Sequence, residues 1–188
     1  MNYSLSWLKQ QIENGICPEY LFFWGHTQKI VGVTDRSCFS QWWPSAFIVD
    51  GITYATAEHW MMAKKALLFD DQESFDLIIT ANKPAIAKTL GRSVKNFDAE
   101  KWNAKAFEFV VEGNLHKFLQ HENLKQYLLQ TNEQVIVEAS PVDPIWGIGL
   151  AQDAKEASDP FKWKGPNLLG FALMEVRDRL KIITWKNK

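Results

Sequence analysis

From about residue 99 to residue 120 the chain repeats apolar side chains at helical spacing. Trp102, Ala106, Phe109 and Gly113 fall on one stripe, with Phe107, Val110, Val111 and Phe118 beside it, and Asp98 stands where it can cap the first turn. A pattern of this length and period predicts a helix, and shorter helical patterns surround it. They cover Leu5 to about Gly15, about 56–68, 70–80, 84–91, 122–130 and 167–181, with stops at Asn82-Lys83-Pro84 and at Gly91. Strand patterns are fewer. Tyr20-Leu21-Phe22-Phe23-Trp24 reads as one strand, Phe47–Val49 and Ile52–Tyr54 flank the hairpin signal Asp50-Gly51, and residues 135–139 read as an alternating strand. A loop is expected over 27–36. A longer one over 140–166 is punctuated by proline and glycine, and unstructured connections of that length usually carry function.

With 188 residues and 46% hydrophobic content, the chain is long enough for a real core and is expected to form a single domain spanning residues 1–188. Its net charge of −1 argues against a dedicated duplex-binding protein, and no basic run stands out. Cys17 and Cys38 are too few for a disulfide framework or a four-cysteine zinc site. The histidines 26, 59, 116 and 121 form no zinc-binding pair on one helical face, so neither metal nor cofactor is expected. The opening Met1-Asn2-Tyr3-Ser4 runs into an amphipathic stretch rather than a basic prefix and apolar core. With no apolar run long enough to span a bilayer, a cytoplasmic protein with reduced thiols, without membrane association or an obligate protein partner, is the expectation.

The helix at 56–68 concentrates chemistry. Thr56 can cap it, and Glu58, Met62 and Lys65 follow at steps of four and three along one stripe. Glu58 and Lys65 lie roughly 10 Å apart along the axis, too far for a comfortable ion pair and suited to gripping one small substrate. An exposed helix lysine beside Lys64 is the plainer alternative. In Glu138-Ala139-Ser140-Pro141-Val142-Asp143-Pro144-Ile145-Trp146-Gly147 a strand delivers carboxylates into a glycine-bearing turn. An Asp-Pro turn with a packed tryptophan explains the same residues equally well. Asn167 opens the last helix, where free amides suit a phosphate or ribose oxygen, or where it simply caps. Arg177 is read as structural, paired with a carboxylate. The nine tryptophans and twelve phenylalanines mostly fill a core, and some can wall a cleft that stacks on planar rings.

Taken in order, Phe23-Trp24-Gly25, Cys38-Phe39-Ser40-Gln41-Trp42, Asp50-Gly51, and Ala57-Glu58-His59-Trp60-Met61-Met62-Ala63-Lys64-Lys65-Ala66 resemble the YbiA/NADAR family, N-glycosidases associated with NAD and ADP-ribose. Trp102, Lys117-Phe118, 128–131, Glu138-Ala139-Ser140, Asp143 with Trp146-Gly147-Ile148-Gly149, Asn167-Leu168-Leu169-Gly170 and Met174-Glu175-Val176-Arg177 continue the resemblance, over about residues 21–182. It departs at Ser40-Gln41-Trp42, where the family often has Ser-Asn-Phe, and at Met61-Met62, where it often has Phe-Gln.

The resemblance implies a mainly α fold with a small β component (α+β), a single compact YbiA-like helical domain. It implies cleavage of the bond between ribose C1′ and a base, on ribosylamino-pyrimidine phosphates of riboflavin synthesis or on ADP-ribosylated guanine, free or in nucleic acid. The family's essential lysine matches Lys65. As a nucleophile Lys65 would need a neutral amine, its pKa lowered by burial against Met62 and Trp60 and by Lys64, and would pass through a Schiff base. Glu58 or Asp143 would be the general acid or base. Trp24, Trp60 or Trp146 would stack on the base, Ser40 and Asn167 would hold ribose or phosphate oxygens, and Gly25, His59, Trp102, Glu138 and Gly147 complete the expected substrate contacts. A non-catalytic NAD or ADP-ribose binding module is the alternative, distinguished by whether free base is released.

Overall fold

The computed structural model describes residues 2–186. In chain order the elements are α1 (Leu5–Glu13), β1 (Tyr20–Phe23), a 3-10 turn (Arg36–Phe39), β2 (Phe47–Val49), β3 (Ile52–Tyr54), α2 (Ala57–Leu68), α3 (Gln72–Thr80), α4 (Pro84–Arg92), α5 (Ala99–Gln120), α6 (Glu122–Leu129), β4 (Val135–Glu138) and α7 (Leu168–Lys186). The fold is mainly α with a small β component. Residues through Ser40 together with those from Asn123 onward form one unit, and Gln41–Glu122 form a second.

The first unit is built on a parallel pair. β1 runs beside β4 with Tyr20 opposite Val135 and Phe23 opposite Glu138. The expected alternation in β4 is absent: Val135, Ile136 and Val137 are all buried. The reason is coverage, since β4 pairs with β1 and carries α7 against it, and strands enclosed in this way become uniformly apolar. The helix α7 is itself apolar around much of its girth, burying Phe171, Ala172, Leu173, Met174, Val176 and Leu180. It approaches β4 closely because residue 170 has no side chain. A methyl group there would lie 2.1 Å from the carbonyl oxygen of Ile136. The helix also runs further than the expected end at 181. Arg177 is buried, but its Nη1 donates to Thr131 Oγ1 at 2.9 Å and Gln134 O at 2.8 Å, neutral acceptors rather than the expected carboxylate. At the N-terminal side Ser4 caps α1 by accepting from Trp7 N, and the Trp7 ring meets Phe171 edge-on at 6.4 Å.

In the second unit α2 is the central helix, with α3, α4 and α5 packed around it. Two glycines make this possible. A side chain at Gly113 of α5 would strike the Trp60 ring, and one at Gly91 of α4 would strike Met62. The hairpin β2–β3 turns through Asp50 (φ 51°) and Gly51 (φ 78°), the two positive angles that a tight two-residue turn of this kind requires. Phe47 and Tyr54 stack across it at 5.8 Å and rest on Trp60. Among the described residues no helix is long and apolar enough to cross a membrane.

Candidate active site

The residues singled out by sequence fall into both units. In the second, Thr56 caps α2 and so sets the direction in which Glu58 and Lys65 leave the helix. Glu58 is buried in the first turn, and its backbone N–H donates to Gln41 O at 2.9 Å. Seven residues on, the Lys65 side chain does not extend into bulk water. Its amine donates to Gly91 O at 2.8 Å, lies 4.1 Å from the centre of the Phe97 ring, and is 5.5 Å from the Trp102 ring. Burial pushes its pKa below the ordinary lysine value, and the neighbouring charge of Arg92 adds to the effect.

The surroundings of Lys65 differ from those expected. Consecutive helical residues point about 100° apart, so Lys64 diverges from Lys65. The Lys64 amine sits over Trp60 and Phe109, at 5.0 and 5.2 Å. The walls around Lys65 are therefore Phe97 and Trp102 rather than Trp60, and the cation acting on it is Arg92 rather than Lys64. Sequence reasoning overlooked Gly91, Arg92 and Phe97. The signal available was a helix stop, Gly91, followed directly by a cation.

His59 and Trp60 are engaged within the protein. Ala81 O can only accept, so His59 Nε2 carries the proton that bridges to it at 3.0 Å, and Nδ1 accepts from the Thr56 hydroxyl at 2.8 Å. Burial lowers the His59 pKa below 6.5, partly offset by the bond to Ala81. The sign is then fixed. Above pH 6.5 the group contributes no pH dependence. As pH falls from 6.5 through the depressed folded-state pKa, the unfolded chain takes up a proton that the folded chain resists, and stability drops. Urea midpoints from pH 7.5 to 5 should fall in the wild type and fall less steeply in His59→Asn. Equal slopes would remove His59 as the cause. Trp60 donates from Nε1 to Phe109 O at 2.7 Å and is buried between Phe47, Tyr54 and His116.

In the first unit, several candidates gather where β1 and β4 end. Trp24 directly follows β1 and is 58% exposed, which leaves its ring available for stacking, and Gly25 turns the chain with φ 79°. Ser40 closes the 3-10 turn, its N–H donating to Ser37 O. Glu138 ends β4, half-buried. Asp143 Oδ1 accepts from the N–H groups of Ile145 and Trp146, at 3.0 and 2.8 Å, and so shapes the turn that presents the half-buried Trp146. Gly147 is required there, since a side chain would meet Glu138 O and Asp143 O. Asn167, with φ 57°, is a clamp: its Oδ1 accepts from Glu138 N and its Nδ2 donates to Ile136 O, both at 2.9 Å. The loop 140–166 is laced to this end of the strand by bonds from Ile148 N to Glu138 O and from Lys164 N and Gly165 N to Ile148 O.

The profile of the NADAR domain matches residues 22–181. The chain belongs to the NADAR domain family. It is 43% identical to N-glycosidase R617 of Acanthamoeba polyphaga mimivirus over 165 residues, covering 85% of this chain and 95% of that protein. It is 31% identical to N-glycosidase YbiA of Escherichia coli over 148 residues, covering 79% and 82%. The NMR structure of E. coli YbiA superimposes with a TM-score of 0.72 at 26% identity, covering 90% of this chain and 89% of that one. Relatives spanning most of this NADAR chain are thus named N-glycosidases, and the chain is an enzyme of that class, a hydrolase of N-glycosyl compounds.

Proposed function

We propose that the chain hydrolyses the bond between ribose C1′ and a base nitrogen, with Lys65 as the nucleophile. The supporting observation is an amine held in place yet biased toward its neutral form. The face of Phe97 and the carbonyl of Gly91 locate it, while burial and Arg92 disfavour its charge. Lys65 Nζ attacks C1′, where positive charge develops, and the C1′–N bond to the base breaks as a general acid protonates the departing nitrogen. Loss of a proton from Nζ and opening of the ring C1′–O4′ bond then give a Schiff base, with O4′ taking up a proton. Water adds to C1′, the C1′–Nζ bond breaks, the sugar leaves still carrying its phosphate groups, and the amine is regenerated.

Glu58 is our choice of general acid, since it shares the α2 stripe with Lys65 and is buried. Asp143 already uses Oδ1 to hold its turn, and His59, Trp60 and Asn167 already serve the fold. Within the first unit, Trp24, Ser40, Glu138 and Trp146 are kept as proposed binding residues, each open to its own substitution. We treat both units as one functional domain, supported by a family match that runs unbroken through them. The substrates proposed are a ribosylamino-pyrimidine phosphate or ADP-ribosylated guanine, in a cytoplasmic setting.

The test is borohydride reduction during turnover, followed by mass spectrometry. A reduced ribosyl adduct is expected on the peptide containing Lys65, together with release of free base. Release with no adduct anywhere would remove the Schiff base. Tight binding with neither release nor adduct would instead support a binding module for ADP-ribose.

A further inference from the structure

Trp24 and Glu138 stand where β1 and β4 end. Where the same two strands begin, at Glu19 and Val135, the first unit holds a cavity of about 530 Å³, a volume typical of small-molecule clefts. All of its lining belongs to that unit. The lining comes from α1 and the turn after it, from the approach to β4, and from α7. The family match begins at residue 22, so α1 and the turn after it lie outside that match.

Arg177 lies in the cavity wall and is only 1% exposed. Its Nη1 is committed to two uncharged acceptors, Thr131 Oγ1 and Gln134 O. Its Nε is buried and has no hydrogen-bond partner among the described residues. The carboxylates whose charge reaches it have other partners. Asp178 accepts from the Tyr3 hydroxyl, and Glu133 pairs with Lys181 at 2.8 Å. A buried guanidinium with no carboxylate bonded to it is costly, and an anion seated against it offsets that cost. The rest of the lining narrows the kind of anion. Trp7, Ile16 and Met174 supply apolar surface, with Ile16 53% exposed, and Gln11 adds an amide. Glu19 and Glu133 are exposed parts of the same lining, so a second negative charge on the ligand would be repelled. The arrangement suits one negative charge on an apolar body.

We propose that this cavity is a second binding site, separate from the N-glycosidase centre, for a small aromatic carboxylic acid whose carboxylate faces Arg177 and whose ring rests against Trp7 and Ile16. The inference does not depend on the role of Lys65. The cavity also carries its own reporter. Cys17 lines it and is exposed, whereas Cys38 is fully buried, and the chain has no other cysteine. A neutral alkylating reagent applied to the folded protein therefore reads Cys17.

The probes are 3-phenylpropanoate, its neutral counterpart 3-phenylpropanamide and its cationic counterpart 3-phenylpropylamine. Affinity is measured by calorimetry, and occupancy by the rate at which iodoacetamide modifies Cys17. The acid should bind wild type roughly 10-fold or more tightly than the amide, the scale of one charge-assisted hydrogen bond, and should slow alkylation in proportion to its occupancy. The amine should do neither. Ile16→Trp fills the cavity from an exposed position. With its urea midpoint unchanged, it should bind the acid roughly 10-fold or more weakly than wild type. Arg177→Gln should bind acid and amide alike, and if it does not fold, Ile16→Trp carries the test. Lys65→Ala should match wild type in both measurements. Equal affinity for acid and amide in wild type, or no protection of Cys17 by saturating acid, overturns the proposal. Loss of acid binding in Lys65→Ala with none in Ile16→Trp would place the acid at the N-glycosidase centre and overturn it as well. Whether borohydride traps an adduct on Lys65 bears on none of these results.

Discussion

Lys65→Ala should abolish turnover and borohydride trapping together while leaving the fold nearly intact. The expected fall in kcat is roughly 10³-fold or more, in line with removal of a covalent nucleophile. The side chain is half-buried and makes one hydrogen bond, to Gly91 O, so its truncation should cost about 1 kcal/mol of stability. Lys65→Arg is the sharper variant. It keeps a cation over Phe97 but cannot form an imine, and it should be as inactive as the alanine variant. If Lys65→Arg retains even a tenth of wild-type kcat, the amine serves as a charge and not as a nucleophile. The wild-type rate should also rise with pH through a pKa below the usual lysine value, since only the neutral amine attacks.

A large loss of stability is expected from Asn167→Ala. Its amide satisfies two backbone groups at once, Glu138 N and Ile136 O, and its backbone sits at φ 57°. Leaving a buried polar group unsatisfied costs about 1–3 kcal/mol, and alanine tolerates the left-handed region less well than asparagine by about 1 kcal/mol. With two such groups and the backbone effect, a total of about 3–7 kcal/mol is expected, read as a lower urea midpoint at constant m-value. Asn167→Asp keeps the acceptor for Glu138 N but sets a carboxylate oxygen against Ile136 O, and should rescue little. A loss below about 1 kcal/mol would mean that the clamp is not what joins α7 to β4.

Much of the fold was legible because local signals agreed with the packing. Asp98 and Thr56 cap helices where apolar periodicity begins, and Asp50-Gly51 turns a hairpin by the backbone angles such a pair favours. Long-range pairing was not legible. Nothing local tells β1 to lie parallel to β4, and the burial of all three valine and isoleucine positions in β4 depends on that partner and on α7. The α2 stripe was readable from spacing alone, since helical geometry puts Glu58, Met62 and Lys65 in line. Which rings enclose the amine was not, because Phe97 lies in the connection after α4 and Trp102 on α5. The chain also reuses side chains that appear reactive. Asn167 and His59 resemble ligand-binding residues by type, yet hydrogen bonds within the protein account for both.

The parallel pairing of β1 with β4 sets an order of events during synthesis. Gln41–Glu122 is one continuous run of chain, with its hairpin and four helices all close in sequence, so it can begin to form as soon as it leaves the ribosome. Tyr20 must wait for Val135, and β4 must wait in turn for α7, so the early strand spends that interval without its neighbour. Slow refolding and the hazard of aggregation should therefore centre on Tyr20-Leu21-Phe22-Phe23, an apolar segment made early and completed late.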